Sequence, residues 1–329
     1  MDWAGLFPEL LDAILGKLTE FTDHLHFRYV CCSWQFVARS HPAPLSLPWL
    51  YLPHDPTSTD LRFYSFLEDR VHKISFPEVY NSNVIGSASG FLLVVRNSYS
   101  DPRVLIINPF TGTRAHLPNT TLLSPNTIWD CSGSVVVAQC LHTVAYCRPG
   151  DHSWTGIEAL TGCSLDSIIY KAGSFHLLEH DTAKIFVLDG ETLELTRIIQ
   201  PPEFDHKFYG LVLSSDGLLF FSRLKLDENA WFVPVLFNVK SHLELEELSW
   251  SKLTNGNYML VYDSKISFLC EASRYTEFRN TLIRYRLVDK RMGTHDCFII
   301  PRNLGNPRRE EWKGGKCRCS SYPSWILPS

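Results

Sequence analysis

Two hydrophobic rhythms divide this chain near residue 41. Before it, apolar residues recur three and four positions apart, the spacing of a helix with one apolar side. Pro8 suits a first helical turn, where its missing N–H would be unpaired anyway, and Glu9 sets negative charge at the positive end of the helix dipole. Leu10, Leu11, Ile14, Leu15 and Leu18 then form one stripe. Thr22 or Asp23 caps a second predicted helix. Its Phe27, Val30, Cys31, Trp34, Val37 and Ala38 repeat the pattern until His41-Pro42 stops it. Gly16 inside the first helix costs about 1 kcal/mol relative to Ala. Two helices this short cannot bury both stripes against each other, so part of that apolar surface needs a partner.

Beyond Pro42 the rhythm becomes that of short strands. Pro42, Pro44, Pro48, Pro53 and Pro56 disfavour helix and predict a linker over 42–60. One unit then recurs, in which a turn containing Gly leads into three successive strands. Gly90 opens Phe91–Val95, followed by Val104–Ile107, the turn Asn108–Gly112 and Ala115–Pro118. Gly133, Gly173 and Gly217 open equivalent runs, and Lys265 holds the same place before Ile266–Leu269. These positions are separated by 43, 40, 44 and 48 residues. A period of about 40–50 residues with several strands per unit predicts a β-propeller, whose blades bury their faces only against neighbouring blades and so close into a ring. Arg62–Phe66 and His72–Phe76 make an incomplete further unit, which Pro323–Leu327 can complete. Six blades are expected, with seven the alternative. A β-sandwich followed by a smaller sheet would also hold many strands, but it does not predict the spacing.

Composition narrows the setting. The 329 residues are 45% hydrophobic and 13% aromatic, enough for a packed core and unlike a disordered chain. A net charge of −4 points to no nucleic acid or other polyanion. No apolar run is long enough to cross a bilayer, and Met-Asp-Trp-Ala-Gly does not begin like a secretory signal. Ten cysteines lie scattered without a disulfide framework, so reduced thiols in the cytoplasm or nucleus are expected.

Candidate chemistry is sparse. A glycosidase would need two carboxylates about 5–10 Å apart, but Asp151, Asp189, Asp216, Asp263 and Asp289 fall at predicted turns, where Asp is favoured for local hydrogen bonding. There is no Gly-x-Ser-x-Gly elbow, phosphate loop or dinucleotide fingerprint. His24 and His26 point to different sides of a helix, and Cys317-Arg318-Cys319 has no second pair at zinc spacing. No cofactor and no metal are expected. Arg302, Arg308, Arg309, Lys313, Lys316 and Arg318 are read as dispersed charge on a surface loop.

A family resemblance reaches across both regions. Trp3, Leu6-Phe7-Pro8-Glu9-Leu10-Leu11, Ile14, Leu18, Asp23 and Phe27–Trp34 resemble an F-box, in particular that of plant proteins with a KIB-type β-propeller. The segments Ile85–Leu93, Leu105–Gly112, Tyr146–Thr155 and the terminal Pro-Ser-Trp-Ile-Leu-Pro-Ser resemble the propeller of the same family. The resemblance implies a mainly β protein with an α-helical F-box over 1–41, the linker over 42–60 and a β-propeller over 61–329, its ring closed by the last strand. It further implies the substrate-recognition subunit of a Skp–cullin–F-box ubiquitin ligase, bridging an adaptor and its cullin to an unidentified target without doing bond chemistry itself. Phe7, Pro8, Leu11, Ile14, Leu18, Leu25, Val30, Cys31 and Trp34 are the residues it assigns to adaptor contact or its support. Phe7, Cys32 and Gln35 depart from the usual F-box pattern and motivate the alternative, a non-degradative interaction scaffold. A propeller enzyme ranks third.

Overall fold

The computed structural model describes residues 3–18, 21–40, 48–52, 54–65, 68, 70–96, 102–120, 123–124, 127–140 and 143–200. Beyond these it describes 209–214, 217–225, 232–239, 245–248, 258–262, 267–271, 281–289, 294–301, 308–312 and 324–326.

A short 3-10 turn, Trp3–Gly5, precedes helix α1, Pro8–Leu15. Pro8 sits at the start of that helix, and Phe7 accepts the first backbone bonds through its carbonyl, from the N–H groups of Leu10 and Leu11. The expected single second helix is instead two, α2 at Phe21–Tyr29 and α3 at Cys32–Arg39. The break has a local cause. Val30 closes α2 with a three-residue turn, its N–H donating to the Phe27 carbonyl at 3.3 Å, and Cys31 is fully extended at φ −166°. Val and Cys are weak helix formers, so the turn costs little there. It allows α3 to fold back, and Leu11, Leu15, Phe27, Val37 and Ala38 meet in one buried core.

The rest of the chain is β. Sheet one holds β1 (Trp49–Tyr51), β2 (Asp60–Ser65) and β3 (Arg70–Ser75). Sheet two is β4 (Asn83–Ala88), β5 (Phe91–Arg96), β6 (Arg103–Ile107) and β7 (Arg114–Leu117). Sheet three is β8 (Ile128–Cys131), β9 (Val136–Cys140), β10 (Thr143–Cys147) and β11 (Thr155–Gly156). Sheet four is β12 (Leu165–Lys171), β13 (Ser174–Glu179), β14 (Ile185–Asp189) and β15 (Leu195–Ile199). The strands of each sheet pair antiparallel in sequence order.

A longer sheet follows. It comprises β16 (Tyr209–Ser214), β17 (Gly217–Lys225), β18 (Phe232–Val239), β19 (Leu245–Leu248), β20 (Tyr258–Tyr262), β21 (Ser267–Glu271), β22 (Thr281–Asp289), β23 (Thr294–Pro301) and β24 (Arg308–Trp312). The units expected at 217 and 265 therefore lie in one nine-stranded sheet, joined where β16 runs parallel to β21. Arg308 and Arg309, expected on a loop, belong to β24 and pair with Ile299 and Phe298. Strand β25 (Ser324–Ile326) then returns to sheet one, with Trp49 opposite Ile326, Leu50 opposite Trp325 and Tyr51 opposite Ser324. The predicted closing strand is thus present.

Two further differences have physical reasons. Sheets two, three and four have four strands each, because a strand also precedes the Gly turn. Ser89-Gly90 and Ala172-Gly173 are two-residue hairpin turns with positive φ at both positions (46° and 80°, 49° and 81°), the geometry that matches strand twist. Strand β1 lies inside the stretch expected to be linker, because Trp49-Leu50-Tyr51 needs only three residues free of proline to join a ladder.

Successive first strands touch around the centre, β25 with β4, β4 with β8, β8 with β12 and β12 with β16. Alternate residues of one strand then serve two cores. Leu92 and Val94 pack with Tyr51 and Phe63 of sheet one, whereas Leu93 and Val95 pack with Trp129 and Val136 of sheet three. Val137 of sheet three turns the other way, toward Phe175 and Leu177 of sheet four. Burial on both faces explains why these strands are continuously apolar rather than alternating.

Candidate functional site

Helix α1 carries two apolar stripes, not one. Leu11 and Leu15, four apart, enter the helical core. Phe7, Leu10 and Ile14 follow the same spacing on another side, where Phe7 is 72% exposed, Leu10 is exposed and Ile14 is half-buried. On α3, Val37 and Ala38 face inward while Phe36 is 75% exposed. Trp3, Tyr29 and Val30 are exposed as well. Six large apolar side chains therefore stand in water on a unit of fewer than forty residues, the kind of patch that marks an interaction surface.

The expected contact residues divide three ways. Phe7, Pro8 and Val30 are exposed, and Ile14, Leu18, Cys31 and Trp34 are half-buried. Leu11 lies fully in the helical core, and Leu25 is buried among residues of the first two sheets. Trp34 packs against Phe27 with ring centroids 4.4 Å apart and planes tilted by 44°, and donates its indole N–H to the Trp3 carbonyl at 3.0 Å. That bond ties the 3-10 turn to α3. Trp3, Leu10, Tyr29 and Phe36 were not singled out for contact by the stripe pattern. A second spacing on α1, Phe7–Leu10–Ile14, was the signal that could have found Leu10.

Of the acids expected at turns, Asp151 and Asp189 accept local backbone hydrogen bonds. Asp189 Oδ1 accepts from the N–H groups of Glu191 and Thr192, which holds its carboxyl below the usual range. Asn108 does the same for Phe110 and Thr111, and Asp151 accepts from Arg148 N–H. Asp289 ends β22, while Asp216, Asp263, Cys317 and Cys319 lie outside the described residues. His24 is buried with Nε2 3.0 Å from the Leu18 carbonyl, and His26 is exposed.

Asp130 is the exception that sequence spacing did not flag. It lies on first strand β8, 4% exposed. One carboxyl oxygen accepts from Cys131 N–H and the other from Tyr170 N–H on β12, both at 2.7 Å, and Ser89 from the β4–β5 turn also bonds to it. Burial pushes its carboxyl up to about 6 against those three bonds. It ties three neighbouring sheets together near their centre. Gln139 adds a second tie, giving its amide to the Cys163 carbonyl and accepting from Leu165 N–H. Among the described residues, no group of three or more His, Cys, Asp or Glu is placed to hold a metal ion, and no helix is long and apolar enough to cross a membrane.

Comparison with known proteins agrees with this geometry. A family model described as KIB1-4 beta-propeller matches residues 63–299. Two proteins of Arabidopsis thaliana whose names carry an F-box designation are similar to the chain. One is 26% identical over 194 residues, 54% of this chain and 54% of its own length. The other is 32% identical over 158 residues, 46% of this chain and 37% of its own length. The matches thus span about half or less of those relatives. Among solved structures, TolB from Acinetobacter baumannii superposes with a TM-score of 0.50 at 10% identity, covering 89% of this chain and 70% of that one, a likeness of fold alone.

Proposed function

Because the chain belongs to the KIB1-4 β-propeller family and resembles proteins named as F-box proteins, we propose that it is the substrate receptor of a Skp–cullin–F-box ubiquitin ligase. Residues 1–41 act as the F-box in this reading, and the ring holds the target protein. The observation that carries it is the exposed second stripe of α1, with Pro8 beside Phe7 and with Val30, Phe36 and Trp3 also in solvent. Apolar side chains at i, i+3 and i+7 are what a helix offers to an adaptor's groove. Phe7, Pro8, Ile14, Leu18, Val30, Cys31 and Trp34 remain available for that contact, joined by Leu10 and Phe36. Leu11 supports it from within the core.

The receptor's contribution is proximity. Holding a target beside a partner-borne conjugating enzyme converts a bimolecular transfer into an effectively intramolecular one, which needs no reactive group on the receptor. The protein acts in the cytoplasm or nucleus, where the adaptor and cullin are met.

The test is binding of the full chain to a purified Skp-type adaptor, beside a Phe7→Ala/Leu10→Ala variant whose circular dichroism matches wild type. Each true anchor is worth about 2 kcal/mol or more, roughly 30-fold in Kd, so the double variant loses measurable binding. Folded wild type that fails to bind would sink the ligase reading and leave the scaffold.

A further inference from the structure

Helix α2 faces two ways. Leu25 and Phe27 are two residues apart, so their side chains leave the helix on nearly opposite sides. Phe27 enters the helical core with Leu11, Leu15, Val37 and Ala38. Leu25, only 7% exposed, belongs instead to the buried cluster that contains Trp49, Tyr51, Leu61 and Phe63 of sheet one and Phe110 of sheet two. No residue of the helical core is shared with that cluster. A leucine on the helical unit is therefore buried by the ring, and α2 is the layer between them.

The rim of this junction is polar. The His72 ring stacks on Trp49, with centroids 4.5 Å apart and planes 17° from parallel. Its Nε2 lies 3.3 Å from Glu68 Oε2 and accepts from Arg70 Nε at 3.3 Å. Burial chiefly disfavours charge on His72; Glu68 favours it, and Arg70 and His26, one residue beyond Leu25, oppose it. An apolar plug with a charged rim is the make-up of a docked interface, not of a linker on which two units swing freely.

We propose that Leu25 is the plug by which the helical unit is locked onto the first blade, so that the partner-binding stripe of α1 is presented at a fixed angle to the ring. The lock does not depend on the adaptor reading. If that reading holds, the lock sets the direction in which a ring-bound target is carried toward the conjugating enzyme. Leu25 then acts within the chain and is not an adaptor contact.

The test compares full-length wild type with Leu25→Ser and Leu25→Met by small-angle X-ray scattering and circular dichroism, without any partner present. The expected result is a larger radius of gyration and a broader distance distribution for Leu25→Ser at unchanged helix content, with Leu25→Met like wild type. Loss of the helical signal in Leu25→Ser supports the lock when Leu25→Gln, a helix former about as good as leucine, loses it too, whereas a helical signal lost in Leu25→Ser and kept in Leu25→Gln with wild-type scattering overturns it. Wild-type scattering and wild-type dichroism in Leu25→Ser would overturn it. Adaptor affinity is measured separately: a Leu25→Ser chain that scatters broadly but binds adaptor as wild type does keeps the two readings apart.

Discussion

The helical unit and the ring treat apolar surface in opposite ways. In sheets two and three both faces of the strands are consumed: Leu92 and Leu93, adjacent in sequence, are each fully buried in different cores. In the helices one stripe of α1 is buried while Phe7 and Leu10 of the other are left in water, with Phe36 on α3 and Val30 between α2 and α3 exposed beside them. The difference teaches where association is built in. Surface kept apolar at the expense of solubility belongs to binding, while surface buried on both sides belongs to stability.

The sharpest way to break this contrast is a pair of Phe→Ala substitutions. Phe175 is fully buried between sheets three and four, so Phe175→Ala costs about 3–5 kcal/mol of stability. Phe36→Ala, at an exposed position, stays within about 0.5 kcal/mol. Urea unfolding of both variants measures this, and equal losses would erase the distinction.

A smaller effect is expected at the polar centre. Asp130→Asn keeps the shape but turns one acceptor oxygen into a donor, facing either Cys131 N–H or Tyr170 N–H. Leaving one of those N–H groups buried and unpaired costs about 1–3 kcal/mol. Relief of the buried charge acts the other way, so a variant as stable as wild type at pH 7 would mean that the carboxylate, not the bonds, dominates there.

The smallest effect depends on pH. His176 on β13 is buried, and its pKa is lowered to about 4, first by burial and then by Arg197. The unfolded chain takes up its proton near the ordinary value of 6.5. Between those values the unfolded state binds more protons, so this contribution is present above pH 6.5 and lost as pH falls toward about 4. Asp130 has the opposite sign: its folded value of about 6 exceeds the ordinary 3.8, so its contribution is lost as pH rises through 6. The two oppose each other in wild type. His176→Phe removes one of them, and its stability relative to wild type should rise as pH drops from 7 to 5, by at most about 1.4 kcal/mol per pH unit. A constant difference across that range would remove His176 from the account.

What could be read in advance follows the same division. Runs such as Phe91–Val95 and the Gly turns before them are dictated locally, by two-sided burial and by positive φ at Gly90 and Gly173. The first strands are the least legible in the sequence. Gly86, Ser87 and Ala88 on β4 and Asp130 on β8 are small or polar residues that give no strand rhythm. The break between α2 and α3 has no Gly or Pro to announce it, only Val30 and Cys31. Leu25 was placed with the adaptor contacts because it falls within an F-box pattern. Its burial is decided by Trp49 and Phe63, which a helical repeat cannot foresee.

The pairing of β25 with β1 also sets a schedule. Leu50 and Trp325 stand opposite each other although 275 residues separate them. At about 5–20 residues per second, a ribosome needs tens of seconds to make that interval. Throughout it the first sheet has one unpaired edge, and the ladder that completes it is among the most distant contacts in the chain, the kind that forms last. The first sheet therefore lacks one of its four strands for most of synthesis, and its ladder can be completed only when the strand at 324–326 emerges.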